Sequence, residues 1–190
     1  MDKFQNKYRI SSTRLQGYDY GQNGAYFITI CTQNRVHYFG EIKNGEMILN
    51  EMGKLAETEW LKTFEIRPDM NLELGAFVVM PNHFHAIIII GDNEYNCTDA
   101  MQCRGAMHCA STTNDETAYK NKFAPQSKNL ASIIRGFKSS VTTAARKIHA
   151  DFAWQPRFYD HIIRNAQSYE RIKNYILNNP KNWKEDKFLN

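Results

Sequence analysis

Residues 72–90 read LELGAFVVMPNHFHAIIII, and the fold turns on how this stretch is parsed. Two apolar runs of strand length flank Met80-Pro81-Asn82, where proline fixes φ and asparagine tolerates a tight corner. The segment predicts an antiparallel pair of strands over 72–79 and 83–90. Side chains alternate across a strand, so His83 and His85 project from one face and Phe84 from the other. Two imidazoles thus open the most hydrophobic run of the chain, placed to converge on one ion. Histidines that merely satisfy local carbonyls are the alternative, and a tight metal site needs a third ligand from elsewhere.

Outward from this hairpin the pattern extends in both directions. From Gly24, GAYFITICTQ is β-branched and aromatic and predicts a strand buried on both faces. HYFGEI and EMILN read as short strands around Asn44-Gly45, a strong hairpin signal. Asn50 then caps a helix over about 50–64, with Glu51 in its first turn and Met52, Leu55, Ala56, Trp60 and Phe64 as its apolar stripe. A helix over 130–148 carries Leu130, Ile133, Phe137, Val141, Ala144 and Ile148 on one side. FYDHIIR, 158–164, reads as a final core strand, and 166–178 as a last helix stopped by Pro180. Strand, helix, two hairpin strands, helix, strand is an α+β, ferredoxin-like split βαβ plan with an antiparallel sheet. To it are added an inserted loop over about 92–127 and an extra C-terminal helix bearing Tyr175. Residues 1–23, polar and rich in Arg, Tyr and Gly, read as an N-terminal arm.

At 190 residues and 42% hydrophobic, the chain suffices for one substantial core, so 1–190 is expected to be one domain. Mean hydropathy is negative, and the longest apolar run, 86–90, is strand length rather than the roughly 20 residues a membrane helix needs. The N-terminus has no apolar signal region, so a cytoplasmic location is expected. A net charge of +4 is compatible with a polyanionic partner without requiring one. Cys31 lies in an apolar run and reads as core. Cys97, Cys103 and Cys109 lack the tight pairs of a zinc site and read as loop thiols.

Tyr175 and Asn179 are candidates to complete the histidine pair. They stand at i and i+4 in SYERIKNYILNNP and share a helix face, with Ile172 and Ile176 on the adjoining face to dock the helix. An amide oxygen with two imidazoles suits Mg²⁺ or Mn²⁺ better than a thiolate-type zinc site. Ordinary packing plus a helix C-cap is the alternative for this pair. Lys128, Arg135, Lys138 and Arg146 cluster opposite the apolar stripe of their helix, as a solvated face or as a phosphate-tracking stripe. Trp154, Phe158 and Tyr159 around Arg157 would either pack or stack on unpaired bases. Arg9 and Arg14 would let the arm reach a DNA groove or hairpin.

Four ordered blocks, MPNHFH (80–85), IIRGFKS (133–139), WQPRFYDHIIRN (154–165) and YILNNP (175–180), resemble the REP-associated tyrosine transposases. These belong to the single-tyrosine group of HUH endonucleases, and the resemblance runs from about Arg14 to Trp183. It implies a ferredoxin-like fold that cuts single-stranded DNA with hairpin structure. His83 and His85 would be metal ligands, Asn179 the third, polar ligand and Tyr175 the nucleophile, forming a 5′-phosphotyrosine. Tyr169 stands about 120° around the helix from Tyr175 and lacks an asparagine at i+4, so it is set aside. The family leaves open whether the tyrosine serves its own chain or a partner's, and whether the chain is a monomer or a homodimer. A non-catalytic nucleic-acid-binding module on the same sheet is the competing class, against which the lack of an RNP1-like aromatic strand counts. A two-histidine phosphoesterase would need two H-x-S/T motifs, and the chain has no second copy.

Overall fold

The computed structural model describes residues 3–4, 7–8, 15, 18–96 and 127–185. Its strands are β1 (Lys3–Phe4), β2 (Lys7–Tyr8), β3 (Gly24–Cys31), β4 (Gly40–Lys43), β5 (Glu46–Leu49), β6 (Leu72–Val79), β7 (His83–Ile90) and β8 (Tyr159–Ile163). Its helices are α1 (Glu51–Glu65), α2 (Leu130–Ala145) and α3 (Ala166–Asn178). The main sheet has the order β6-β7-β3-β8, antiparallel throughout. With α1 between β3 and β6 and α2 between β7 and β8, this is the expected ferredoxin-like arrangement. The β4–β5 hairpin is inserted ahead of α1, and α3 is appended. Most of the expected inserted loop lies outside the described residues, as do Arg9, Arg14, Cys97, Cys103 and Cys109.

Alternation along β7 explains why its isoleucines run without a break. Phe84, Ala86, Ile88 and Ile90 enter a core with Tyr26, Ile28 and Ile30 of β3, Trp60 of α1 and Phe137 of α2. Ile87 points the other way, into a second cluster with Phe27, Ile163, and Ile172 and Ile176 of α3. The sheet is therefore covered on both faces, by α1 and α2 on one and α3 on the other. Each fully buried isoleucine contributes about 1.5–3 kcal/mol. His83 and His85 share the parity of Ile87, so the same alternation puts them on the α3 face.

A bulge in β6 tunes that placement. Leu74 pairs with Ile88 but Phe77 pairs with Ala86, so β6 carries one residue more than β7 between these points. The shift sets Phe77 over Phe84, with ring centroids 6.1 Å apart, and brings Val78 opposite His85. A Cβ on Gly75 would lie 2.8 Å from both Cβ and O of Ile87, so the close approach requires glycine.

The helix starts are asparagine caps. Asn50 Oδ1 accepts from Gly53 N, Asn129 Oδ1 from Ser132 N and Asn165 Oδ1 from Ser168 N. The Asn44-Gly45 turn has positive φ at both residues, the mirror-image turn that matches strand twist. Helix α2 stops at Ala145, short of the expected end at Ile148, and Ala145 rather than Ala144 is its last buried residue. Beyond it the chain reverses through His149 N→Ala145 O and Phe152 N→His149 O, leaving Ile148 exposed. The reversal returns Phe152 and Trp154 to the core against Phe39, contacts that a longer helix would forfeit.

Candidate active site

At the open end of β7, both imidazoles are buried, His83 at 0% and His85 at 1% exposure, with ring centroids 4.5 Å apart. Thr29 faces His85 in the β3–β7 register, and its Oγ1 lies 2.8 Å from His85 Nδ1. Phe27 stacks on the His85 ring, centroids 5.4 Å apart. His83 Nδ1 lies 2.8 Å from Asn82 Oδ1, and Trp183 stacks over His83 at 5.9 Å. Each histidine is thus held at Nδ1 by a polar neighbour and walled by an aromatic ring. Such fixing of ring orientation is typical of imidazoles that present the other nitrogen to a ligand.

Helix α3 supplies the other half of the site. Ile172 and Ile176 dock it on Phe27, Ile87 and Ile163, and the adjoining helical face carries Tyr175 to His85. Tyr175 Oη lies 3.2 Å from His85 Nε2, although the two residues are 90 apart in sequence. Its ring meets His85 and Phe27 edge-on and is 42% exposed, so one side of the phenol is open to solvent. Tyr169 instead packs against the apolar cluster under α3.

Asn179 is the helix C-cap and keeps helical angles, φ −56° and ψ −44°, despite the following proline. It is 2% exposed, and its Oδ1 is buried with no hydrogen-bond partner among the described residues. A buried amide oxygen without a donor costs about 1–3 kcal/mol, unless something outside the protein supplies the missing partner. Among the described residues, no three of His, Cys, Asp and Glu gather into a metal-binding group. His83, His85 and Asn179, the three residues the resemblance implies, would offer two imidazole nitrogens and one amide oxygen, donor types that fit a hard divalent ion such as Mg²⁺ or Mn²⁺.

The cationic residues divide. Arg135, Lys138, Arg146 and Arg157 line one groove of about 710 Å³ along α2, in the layer on the far side of the sheet from Tyr175. Lys138 Nζ donates to the carbonyls of Gln155 and Arg157 at 2.7 and 2.9 Å, and burial holds its ammonium below the ordinary lysine range. Arg146 Nε donates to the Phe152 carbonyl. Lys128 departs from the expected stripe. It precedes the α2 cap, pairs with Asp69 and lies over the Tyr95 ring, so its charge is already engaged. Trp154 is mostly buried. The residue is 8% exposed and packs against Phe39, Phe137 and Phe152, with its remaining surface on the wall of the α2 groove. Phe158 packs against the same core, whereas Tyr159 is exposed.

Sequence reasoning missed Thr29, Asn82 and Trp183. Thr29 becomes visible only through the strand register. Asn82 was read as a corner residue alone, and nothing around Trp183 marks it as a neighbour of His83.

No family model matches the chain. An uncharacterised protein of Haemophilus influenzae is 38% identical over 177 residues, covering 92% of this chain and 90% of that protein. The REP-associated tyrosine transposase of Escherichia coli is 23% identical over 163 residues, 85% of this chain and 68% of that protein. The solved structure of a REP-associated tyrosine transposase bound to a REP hairpin is similar in fold, with a TM-score of 0.56 and 22% identity. It aligns with 90% of this chain and 73% of that one.

Proposed function

The chain belongs to one family with the Haemophilus influenzae protein, and we propose that it cuts and rejoins hairpin-bearing single-stranded DNA through Tyr175, in the manner its transposase fold suggests. The observation that carries this reading is the 3.2 Å approach of the Tyr175 hydroxyl to His85 Nε2, with His83 alongside and the Asn179 oxygen buried close by in sequence. A sheet and a distant helix bring a phenol together with two buried imidazoles, which packing alone does not require. The DNA hairpin named for the solved relative is the partner class we extend to this chain.

A free phenol has a pKa of about 10 and is a poor nucleophile at neutral pH, so position is the first thing the protein supplies. Ile172 and Ile176 fix the helix, and Phe27 and His85 bracket the Tyr175 ring. His83, His85 and Asn179 would hold the divalent ion, which when bound supplies Lewis-acid polarisation of a phosphate oxygen. Attack by Tyr175 Oη forms an O–P bond to the scissile phosphate and breaks the bond from phosphorus to the 3′ oxygen. The phenol proton leaves through the open side of the ring, and the departing 3′ oxygen takes up a proton. The result is a 5′-phosphotyrosine and a free 3′-OH. A phosphotyrosine diester conserves the bond, so attack by a 3′-OH reverses the step and joins strands. Arg135, Lys138, Arg146 and Arg157 would bind DNA phosphates in the α2 groove, with Trp154 on its wall, while Lys128 is paired with Asp69.

Incubation with a labelled single-stranded hairpin and Mn²⁺, followed by a denaturing gel, tests the reading. Wild type is expected to form a covalent adduct. Tyr175→Phe is expected to form none while binding the DNA within about twofold, since the phenol oxygen is the only atom removed. Adducts that persist in the variant would sink the nucleophile assignment. Binding without any wild-type adduct would return the chain to the class of non-catalytic binding modules.

A further inference from the structure

The corner between β6 and β7 buries a side chain that the proposed chemistry does not use. Asn82 is fully buried; its backbone oxygen accepts from Thr32 N and from Thr32 Oγ1, each at 2.9 Å. Its Nδ2 donates to the Arg35 carbonyl at 3.2 Å, and its Oδ1 lies 2.8 Å from His83 Nδ1. A carbonyl oxygen only accepts hydrogen bonds, so Arg35 O decides which end of the amide faces it and turns Oδ1 towards His83. An amide oxygen also only accepts, so the hydrogen of that second bond must sit on His83 Nδ1. In the neutral ring, Nε2 then carries the lone pair.

The loop that supplies the Arg35 carbonyl is strained. Asn34 and Arg35 both adopt left-handed angles, φ 53° and 54°, and consecutive non-glycine residues rarely do so. Such strain persists where the surroundings over-determine it, and it gathers at functional sites. Here the surroundings are the corner itself: Thr32 binds the Asn82 carbonyl, Phe39 N donates to Pro81 O, and the Arg35 carbonyl meets the Asn82 amide.

We propose that Asn82 is a positioning residue: it locks His83 in the Nδ1–H tautomer so that Nε2 is the nitrogen offered to the site, and the left-handed Asn34–Arg35 pair is retained to orient it. The consequence for metal binding rests on the reading of His83 as a ligand, but the tautomer does not. Nitrogen-15 NMR of the full, metal-free chain labelled at histidine is expected to show a protonated Nδ1 and a bare Nε2 at His83. Asn82→Ala removes the acceptor, so the ring is expected to shift towards the Nε2–H form. Calorimetric titration should then show Mn²⁺ binding weakened about 10- to 100-fold, the usual effect of removing an outer-shell partner. Asn82→Asp keeps an oxygen facing the ring and is expected to keep Nδ1 protonated.

An Nε2–H ring in wild type would overturn the proposal. So would Asn82→Ala that retains a protonated Nδ1 and binds Mn²⁺ within twofold of wild type. Should Asn82→Ala fail to fold, an Nε2–H ring in Asn82→Asp overturns it instead. A wild type with the expected tautomer but no Mn²⁺ binding would refute the metal reading and leave the assignment of Asn82 standing.

Discussion

Asn179 sets stability against function within one side chain. Its buried Oδ1 lacks a donor among the described residues, so in the metal-free protein the amide is a net cost. Asn179→Leu is expected to raise metal-free stability by about 1 kcal/mol, roughly 2–4 °C in melting temperature for a chain of this size. On the proposed ligand role, Mn²⁺ should raise the melting temperature of the wild type and not that of the variant. Paired thermal melts with and without Mn²⁺ check both halves, and a variant that melts lower and still responds to the ion would contradict the assignment. At this scale the sequence was informative for a physical reason. Alternation set the histidines on one face with Phe84 opposed, and helical spacing gave Tyr175 and Asn179 a shared face. It did not foresee the neighbours of Lys128 and Trp154, because charge and aromaticity report what a residue is able to contact, while its neighbours decide what it does contact. Asp69 and Tyr95 claim the first, and Phe39, Phe137 and Phe152 the second.

Between elements, the contact of α1 with α2 carries a charge that makes it sensitive to acid. Ser140 Oγ on α2 donates to the Glu59 carboxylate on α1, with Lys62 beside it. The Ser140 hydroxyl, and then Lys62, hold the Glu59 carboxyl below its usual range. A carboxyl whose folded pKa is lowered stabilises the fold above its unfolded value and loses that contribution as pH falls through the folded one. Ser140→Ala is therefore expected to cost about 1 kcal/mol near neutrality, towards the low end because the pair is only partly buried. The gap from wild type should narrow as pH drops from about 7 to about 3. Urea titrations across that interval measure it, and a gap independent of pH would assign the loss to packing. The elements themselves were largely legible, through Asn-Gly chemistry at 44–45 and asparagine caps. The β6 bulge was not, since an apolar strand looks the same in either parity and only the clash of a Gly75 Cβ with Ile87 betrays it. The end of α2 was misjudged because Ile148 continues the apolar period. The return of Phe152 and Trp154 to the core, a long-range event, outweighs that local signal.

Across the whole molecule, the sheet separates the α2 groove from Tyr175. The α2 groove, lined by arginines, lies in one layer and Tyr175 in the other, so binding and chemistry should be separable by mutation. Arg135→Ala or Arg157→Ala is expected to lower the slope of log affinity against log salt by about 0.7–0.9. Adduct formed per bound DNA should stay unchanged, measured by titration at several salt concentrations and by gel. A slope that does not move would remove the arginine in question from the interface. The layered plan was readable from strand and helix order, but the division of labour between faces was not, because it depends on which side of the sheet each helix settles. Tyr175 and His85 meet at 3.2 Å within one chain, and the proposal that a copy cuts with its own tyrosine makes a prediction at this scale. Specific activity should therefore hold steady on dilution, and mixing a copy lacking His83 with one lacking Tyr175 should not rescue cutting. Rescue on mixing would instead mean that the tyrosine helix is exchanged between copies, so that a defective sibling could be repaired by its neighbour.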